Sequence, residues 1–458
     1  MFTKNQNPAL AAKYNIPAPR YTSYPTMPYW DTNSYTQEGW KLSVKKSFDE
    51  SNLTEGISLY IHLPFCESLC TYCGCNTRIT KNHDVEVPYI LAVLKEWEMY
   101  CELLPEPPVI REIHLGGGTP TFFSAENLNL LIYGLLDEAI VHPEAEFSFE
   151  GHPGNTTEKH LLTLYKLGFR RVSLGIQDFD PGVQFIINRH QTFDQVNSIV
   201  VKAREIGYTS INFDLIYGLP LQTIDGLITT MNLVAGLRPE RIAFYSYAHV
   251  PWIKPGQRRF TENDLPNPVL KAKLYEVGRS LLKSFGYLEI GIDHFALPND
   301  ELIKAELAGR LHRNFMGYTH NHTQLLIGLG VSAISDSHYA FSQNVKVVED
   351  YLQLIHNNEL PILKGHLMTD EDLVISKHIL NIMCKGHTVW NHHTEPCDAL
   401  FDGIHRLSSI ADDGLIDLNS WGLTVTDAGK RYVRNVCMAL DARLWANKPS
   451  TQLFSMAV

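Results

Sequence analysis

The chain is short of several things that would place it quickly. It has eight cysteines in 458 residues. No run approaches the ~20 apolar residues needed to span a bilayer, so no membrane span is expected. Its opening, "MFTKNQNPALAAKYN", lacks the continuous apolar stretch of a secretory signal, and the expected address is the cytoplasm, where thiols stay reduced. Positive charge is not in surplus either. Against 39 Lys and Arg stand 50 Asp and Glu, a net of −11, which argues against nucleic acid as the main partner. A small anionic ligand remains open, because it needs only a local cluster of Arg and Lys. No repeat of solenoid period and no low-complexity segment interrupts the sequence. A hydrophobic content of 44% and a charged content of 19% suit a soluble globular protein of two or three domains.

What the chain does have is concentration. Four of the eight cysteines, Cys66, Cys70, Cys73 and Cys75, fall within ten positions of "IHLPFCESLCTYCGCN". Disulfides within such a run would close small, strained loops in a compartment that keeps thiols reduced. Structural zinc is the serious competitor, since it accepts thiolates at short spacing and His62 and His83 lie near, but no second Cys or His pair completes a knuckle. A ferredoxin spacing would be Cys-x2-Cys-x2-Cys-x3-Cys; this one is Cys-x3-Cys-x2-Cys-x-Cys. Three thiolates on one short loop suit three irons of a 4Fe–4S cluster, with the fourth iron left open for a substrate or cofactor. Cys75, only two residues beyond Cys73, reads as a neighbour and not a ligand. The scattered Cys101, Cys384, Cys397 and Cys437 read as small buried apolar residues.

From Ile57 onward strand-like runs ("ISLYIHL", "IREIHL", "AEFSFE", "RRVSLGI", "TSINFDLIY", "ERIAFYSYA") alternate with helix-like ones. Six such strands between Ile57 and Ala248 predict βα units on a parallel sheet, a partial β/α barrel or an open doubly wound sheet. Each strand is followed by something polar or glycine-rich: the cysteines, then Gly116–Thr121, Glu150, Gln177 with Asp178, Asp214, and Tyr245–His249. In parallel β/α folds the carboxyl ends of strands converge on one face, where ligands bind. Singly these features are ordinary turns and caps; together they predict one large site. An N-terminal arm (1–55) precedes a barrel domain with extensions (56–365). A mostly helical tail (366–458) carries a hairpin-then-helix pattern like a winged helix.

The cysteine core, with Tyr72 before its last member, is the signature of the radical S-adenosylmethionine (SAM) superfamily. The longer text ("RYTSYP", "YIHLPFCESLCTYCGCNTRIT", "HLGGGTPT", "VSLGIQDF", "NFDLIYGLP", "LHRNFMGYT", "GLGVSAISD") closely resembles the oxygen-independent coproporphyrinogen III oxidases of heme biosynthesis, over nearly the whole chain. The resemblance implies a three-quarter β/α barrel and a 4Fe–4S cluster on Cys66, Cys70 and Cys73, with a SAM molecule chelating the open iron. It places Tyr60, Gly117, Glu150 and Ile334 around that first SAM. Tyr72, Gly118, Thr119, Gln177, Arg189, Asp214 and Ala248 fall at positions of a second. No side chain is implied as catalytic beyond cluster and SAM. One departure stands out: relatives usually continue from Glu150 as Val-Asp-Pro-Arg, whereas this chain reads "EGHPGN", with Gly151 and His152.

The implied reaction converts two propionates of coproporphyrinogen III to vinyl groups, giving protoporphyrinogen IX. Their C–H bonds are too unreactive for a side-chain base, so the hard chemistry must be a cofactor's. An electron donor, an electron acceptor and a monomeric enzyme are further implications. The substrate's four carboxylates call for cations. Arg20, Lys254, Arg258, Arg259 and Arg313 are candidates, although for Lys254, Arg258 and Arg259 a solvated surface position is the better reading. Tyr21 and Tyr24 either close over the site or anchor packing. Rival readings are a heme chaperone, against which Cys75 and "RYTSYP" argue, a heme-degrading relative, and a DNA-binding regulator, against which the acidic tail argues.

Overall fold

The computed structural model describes residues 8–391, 396–449, 451 and 453–457. The first seven residues of the arm and residues 392–395 of the tail lie outside that description. One sheet of twelve strands organises the molecule. Its strands are β1 (Ile57–Leu63), β2 (Val109–Gly117), β3 (Ile140–Gly151), β4 (Phe169–Gln177), β5 (Ser210–Tyr217), β6 (Arg241–Ser246), β7 (Leu288–Ile290), β8 (His294–Ala296), β9 (Leu325–Leu329), β10 (Ile334–Asp336), β11 (Ala340–Asn344) and β12 (Ile362–Leu367). The order across the sheet is β12-β11-β10-β9-β1-β2-β3-β4-β5-β6-β8-β7. From β9 through β6 all neighbours are parallel, and the antiparallel strands at both ends leave the sheet unclosed. This is the expected partial barrel, with a seventh parallel strand, β9, that arrives only after the long excursion following β6.

The strands form where branched and aromatic residues are buried on both faces. In β1 only Tyr60 is not fully buried, as a central parallel strand requires. Helices Glu86–Cys101, Ala125–Asp137, Phe193–Ile206 and Ile224–Leu237 cover the outside. Ser124, Thr192 and Thr223 cap three of them by accepting backbone N–H groups. Among the described residues no helix is long and apolar enough to cross a membrane.

The arm departs from its weakly periodic sequence. Gln37–Ser51 is a helix capped by Thr36, and it buries Trp40, Val44 and Phe48 in the barrel core. Its buried stripe is diluted by Ser43, Ser47 and Ser51, which bond to Trp40, Ser337 and Ser47 carbonyls, so the apolar period is hard to see. Tyr14, Tyr21 and Tyr24 belong instead to a second core shared with tail residues such as Ile379, Trp390, Leu400 and Val436. The tail is helical, as expected of a winged-helix-like unit. Helices Asp370–Lys385, Asp398–Asp412 and Val433–Leu440 surround a hairpin (Ile416–Asn419 with Gly422–Val425), and a third strand, His387–Val389, joins that hairpin.

Candidate active site

The cysteine loop leaves the end of β1 and is fixed mainly by backbone. Cys66 lies in a short strand paired with Arg78–Ile79, and a turn closes from Cys73 N–H to the Cys70 carbonyl at 3.1 Å. The loop is tied to residues outside it: Thr71 donates to the Ile186 and Ile187 carbonyls at 2.9 Å each, and Asn188 Nδ2 donates to the Leu69 carbonyl at 2.8 Å. The "GGGT" run lies against this loop. A Cβ on Gly118 would sit 2.5 Å from the Pro64 carbonyl oxygen, and Gly117 has φ +114°; both positions need glycine.

The thiols are not equivalent. Cys66 Sγ is 3.3 Å from Thr119 Oγ1, and burial pushes its thiol up to about 11. Cys70 is also raised by burial, opposed by the Arg189 guanidinium, whose Nη1 reaches its sulfur at 3.7 Å. Cys73 accepts from Cys75, including a 3.4 Å bond from the Cys75 N–H, and is held down at about 6. Cys75 is correspondingly raised. All are free thiols.

One wall of the site combines the first expected group. Tyr60 lies opposite His114 of β2 and Gly328 of β9, its ring stacked on His114 at 6.0 Å. His114 reaches Glu150 Oε1 at 3.5 Å and Ser148 Oγ at 2.8 Å. Tyr60 OH meets His62 Nδ1 at 3.1 Å, and His62 Nε2 meets the Asn76 carbonyl at 2.9 Å. Ile334 begins β10, its carbonyl close against Gly328. His114 was not anticipated as a site residue and His62 only as a possible zinc ligand; across β1 and β2, Tyr60 pairs with His114 and His62 with Gly116.

Residues of the second expected group lie on and after the strands that follow. Arg189 is buried and donates to the Gly175 carbonyl as well as to Cys70. Gln177, at φ +67°, is buried, and among the described residues its Oε1 has no partner. Asp214 accepts from Ser173 Oγ at 3.0 Å and Asn212 Nδ2 at 2.9 Å; burial, then Glu150, pushes it up to about 6. Ala248 and Tyr72 are joined through Gln257, whose Nε2 donates to both carbonyls at 3.3 and 3.2 Å. Gln257 carried no signal in sequence. His152 turns its Nδ1 to accept from Gly154 N–H at 2.9 Å, so this imidazole closes a tight local turn beside Glu150.

The candidate cations divide. Lys254 caps the Cys75 carbonyl at 3.0 Å, whereas Arg258 bonds the Pro251 carbonyl and Arg259 lies 5.2 Å from the Phe185 ring, both exposed. Arg20 instead lines a cavity of about 450 Å³ with Tyr21, Tyr247, Ala248, Lys271 and Met456, and it pairs with Asp293. Tyr21 and Tyr24 are packing anchors in the second core, Tyr21 OH bonding Asp441 at 3.0 Å.

A family model described as the radical SAM superfamily matches residues 60–234. The chain is 37% identical over 447 residues to the oxygen-independent coproporphyrinogen III oxidase of Pseudomonas aeruginosa, covering 95% of each. To that of Escherichia coli it is 36% identical, covering 98% of each. This chain belongs to the oxygen-independent coproporphyrinogen III oxidase family. A solved structure of the Escherichia coli coproporphyrinogen III oxidase, described as a radical SAM enzyme, superposes with a TM-score of 0.88 at 34% identity, over 95% of this chain and 99% of that one.

Membership of this radical SAM family implies a 4Fe–4S cluster and SAM. The residues fit them. Cys66, Cys70 and Cys73 bring three free thiols onto one short loop, and a polynuclear cluster takes thiolates on separate irons. The unpartnered Gln177 Oε1 and the buried Arg189 and Asp214 supply the polar atoms a zwitterionic, ribose-bearing ligand needs.

Proposed function

We propose that this chain carries out the anaerobic oxidative decarboxylation of two propionates of coproporphyrinogen III, giving protoporphyrinogen IX in heme biosynthesis. The observation that supports it most is the convergence of a three-thiol loop and successive strand-end polar groups on one face, in a chain so extensively similar to these oxidases. Cys66, Cys70 and Cys73 hold the cluster. Tyr60, Gly117, Glu150 and Ile334 surround a first SAM, and Tyr72, Gly118, Thr119, Gln177, Arg189, Asp214 and Ala248 surround a second. When bound, cluster and SAM supply a radical able to take hydrogen from an unactivated C–H bond.

The chain's own residues do the rest. Arg189 neutralises thiolate charge at Cys70 and offers a guanidinium to a carboxylate. Asp214, already accepting from Ser173 and Asn212, offers carboxylate oxygens to ligand hydroxyl or amino groups. Tyr60 and His62, tied to the Asn76 carbonyl, fix the loop's exit from β1. The cavity beside Arg20 receives the tetrapyrrole, with the arm (1–55) and tail (366–458) walling the barrel (56–365). Each propionate loses a hydrogen atom, carbon dioxide and one electron, so the enzyme draws on a strong one-electron donor and an electron acceptor. We place this monomeric enzyme in the cytoplasm.

The test is an anaerobic assay of iron-reconstituted protein with SAM, a strong reductant, coproporphyrinogen III and an acceptor, followed by mass spectrometry. Loss of two carboxyl groups together with formation of 5′-deoxyadenosine is the expected result. Formation of 5′-deoxyadenosine with the tetrapyrrole untouched would remove the substrate assignment.

A further inference from the structure

Three guanidinium groups gather where the arm, the tail and the edge of the barrel meet, and they differ in what they bond. Arg434, 7% exposed, is consumed by backbone. It donates to the Ala18, Pro19, Ser455 and Met456 carbonyls and to Ser455 Oγ. In doing so it clips residues 18–19 of the arm to residues 455–456 of the tail, which also pair directly. Arg20 pairs with Asp293, whose other oxygen meets His294 Nδ1 at 2.6 Å. Arg313 is different. It is 5% exposed, it stands on the His312–Asn314 strand of a hairpin, and its guanidinium lies 4.3 Å from the Tyr318 ring. Among the described residues its guanidinium makes one hydrogen bond, 3.4 Å to the Arg20 carbonyl, and its Nε and Nη1 are buried without partners. Among the described residues Asp293 is the single carboxylate paired to any of the three.

A buried cation with unpaired donors is costly unless an anion joins it. Arg313 abuts the backbone of Arg20, a residue lining the cavity assigned above to the tetrapyrrole. Resting on that reading, we propose that Arg313, with Arg20 beside it, is a subsite for one of the two propionates that survive the reaction. A guanidinium pair stabilises the charged carboxylate and so opposes its loss as carbon dioxide; a cation of this kind suits a group that must stay and anchor the ring. Arg313 is a positioning residue.

The test uses the apo protein, so cluster and turnover play no part. Fluorescence titration compares protoporphyrin IX, which keeps only the surviving propionates, with its dimethyl ester. Esterification should weaken wild-type binding about tenfold or more, the worth of a hydrogen bond to a charged group. In Arg313→Gln that acid-over-ester preference should largely vanish, and Arg313→Lys should restore part of it. If Arg313→Gln weakens acid and ester equally, Arg313 is a packing strut and the subsite is overturned. Should Arg313→Gln fail to fold, Arg313→Lys and Arg20→Gln carry the same comparison. If wild type binds neither porphyrin, the tetrapyrrole reading itself falls, an outcome distinct from loss of the acid-over-ester preference alone.

Discussion

The cysteine wall and the arginine corner are built in opposite ways. The first is assembled from successive βα units, each contributing residues at or near the carboxyl end of its strand, and its loop is held by its own turn and by bonds to residues 186–188. The second joins positions hundreds of residues apart: Arg20, Arg313, Arg434 and the 455–456 carbonyls. On the function proposed above, the first takes cofactors and the second an acidic substrate. The difference teaches that the cysteine wall rests mainly on the parallel sheet, with a few distant ties such as Gln257 to Tyr72, while the arginine corner depends on both termini docking.

Substitutions should separate these two ends. The largest effect falls on the cysteines. Serine at Cys66, Cys70 or Cys73 should abolish iron retention on reconstitution, and serine at Cys75 should leave it in place; metal analysis distinguishes them. Next, Arg434→Leu removes the clip between arm and tail. We expect a loss of about 3 kcal/mol in chemical denaturation, faster proteolysis near residue 18, and normal iron uptake. Loss of iron together with the clip would mean the two ends are not independent.

A third test is a pH profile. Asp441 holds the arm through Tyr21, and burial pushes its carboxyl from 3.8 up to about 6. The folded state thus favours the neutral acid: the stabilisation is full below pH 3.8 and is lost as pH rises through about 6. Urea unfolding should show Asp441→Asn, always neutral, gaining about 3 kcal/mol on wild type across that window. Smallest of all, Thr119→Val removes the hydroxyl beside Cys66 Sγ and should cost about 1 kcal/mol, visible as a modest change in cluster reduction potential with no change in iron content.

How much could be read beforehand follows the same divide. The six strands and the residues at their ends were legible because βα periodicity and strand-end chemistry are local signals. The helix Gln37–Ser51 was not, because serines occupy its buried face. His114 and Gln257 escaped notice, and His62 was read only as a neighbour of the cysteines, since their roles depend on register and on distant side-chain and carbonyl partners. Arg313 was visible only as one cation among five. What singles it out is the lack of partners for its buried N–H groups, a property of tertiary packing. Arg258 and Arg259, with similar sequence surroundings to Lys254, face outward.

The central claim is that the Cys66–Cys73 loop holds a 4Fe–4S cluster with one iron open to SAM. The most direct measurement is electron paramagnetic resonance of the reduced, reconstituted protein before and after SAM addition. A 4Fe–4S signal whose g-values shift on adding SAM is the predicted result. A cluster signal indifferent to SAM, in protein with full iron content, would contradict it.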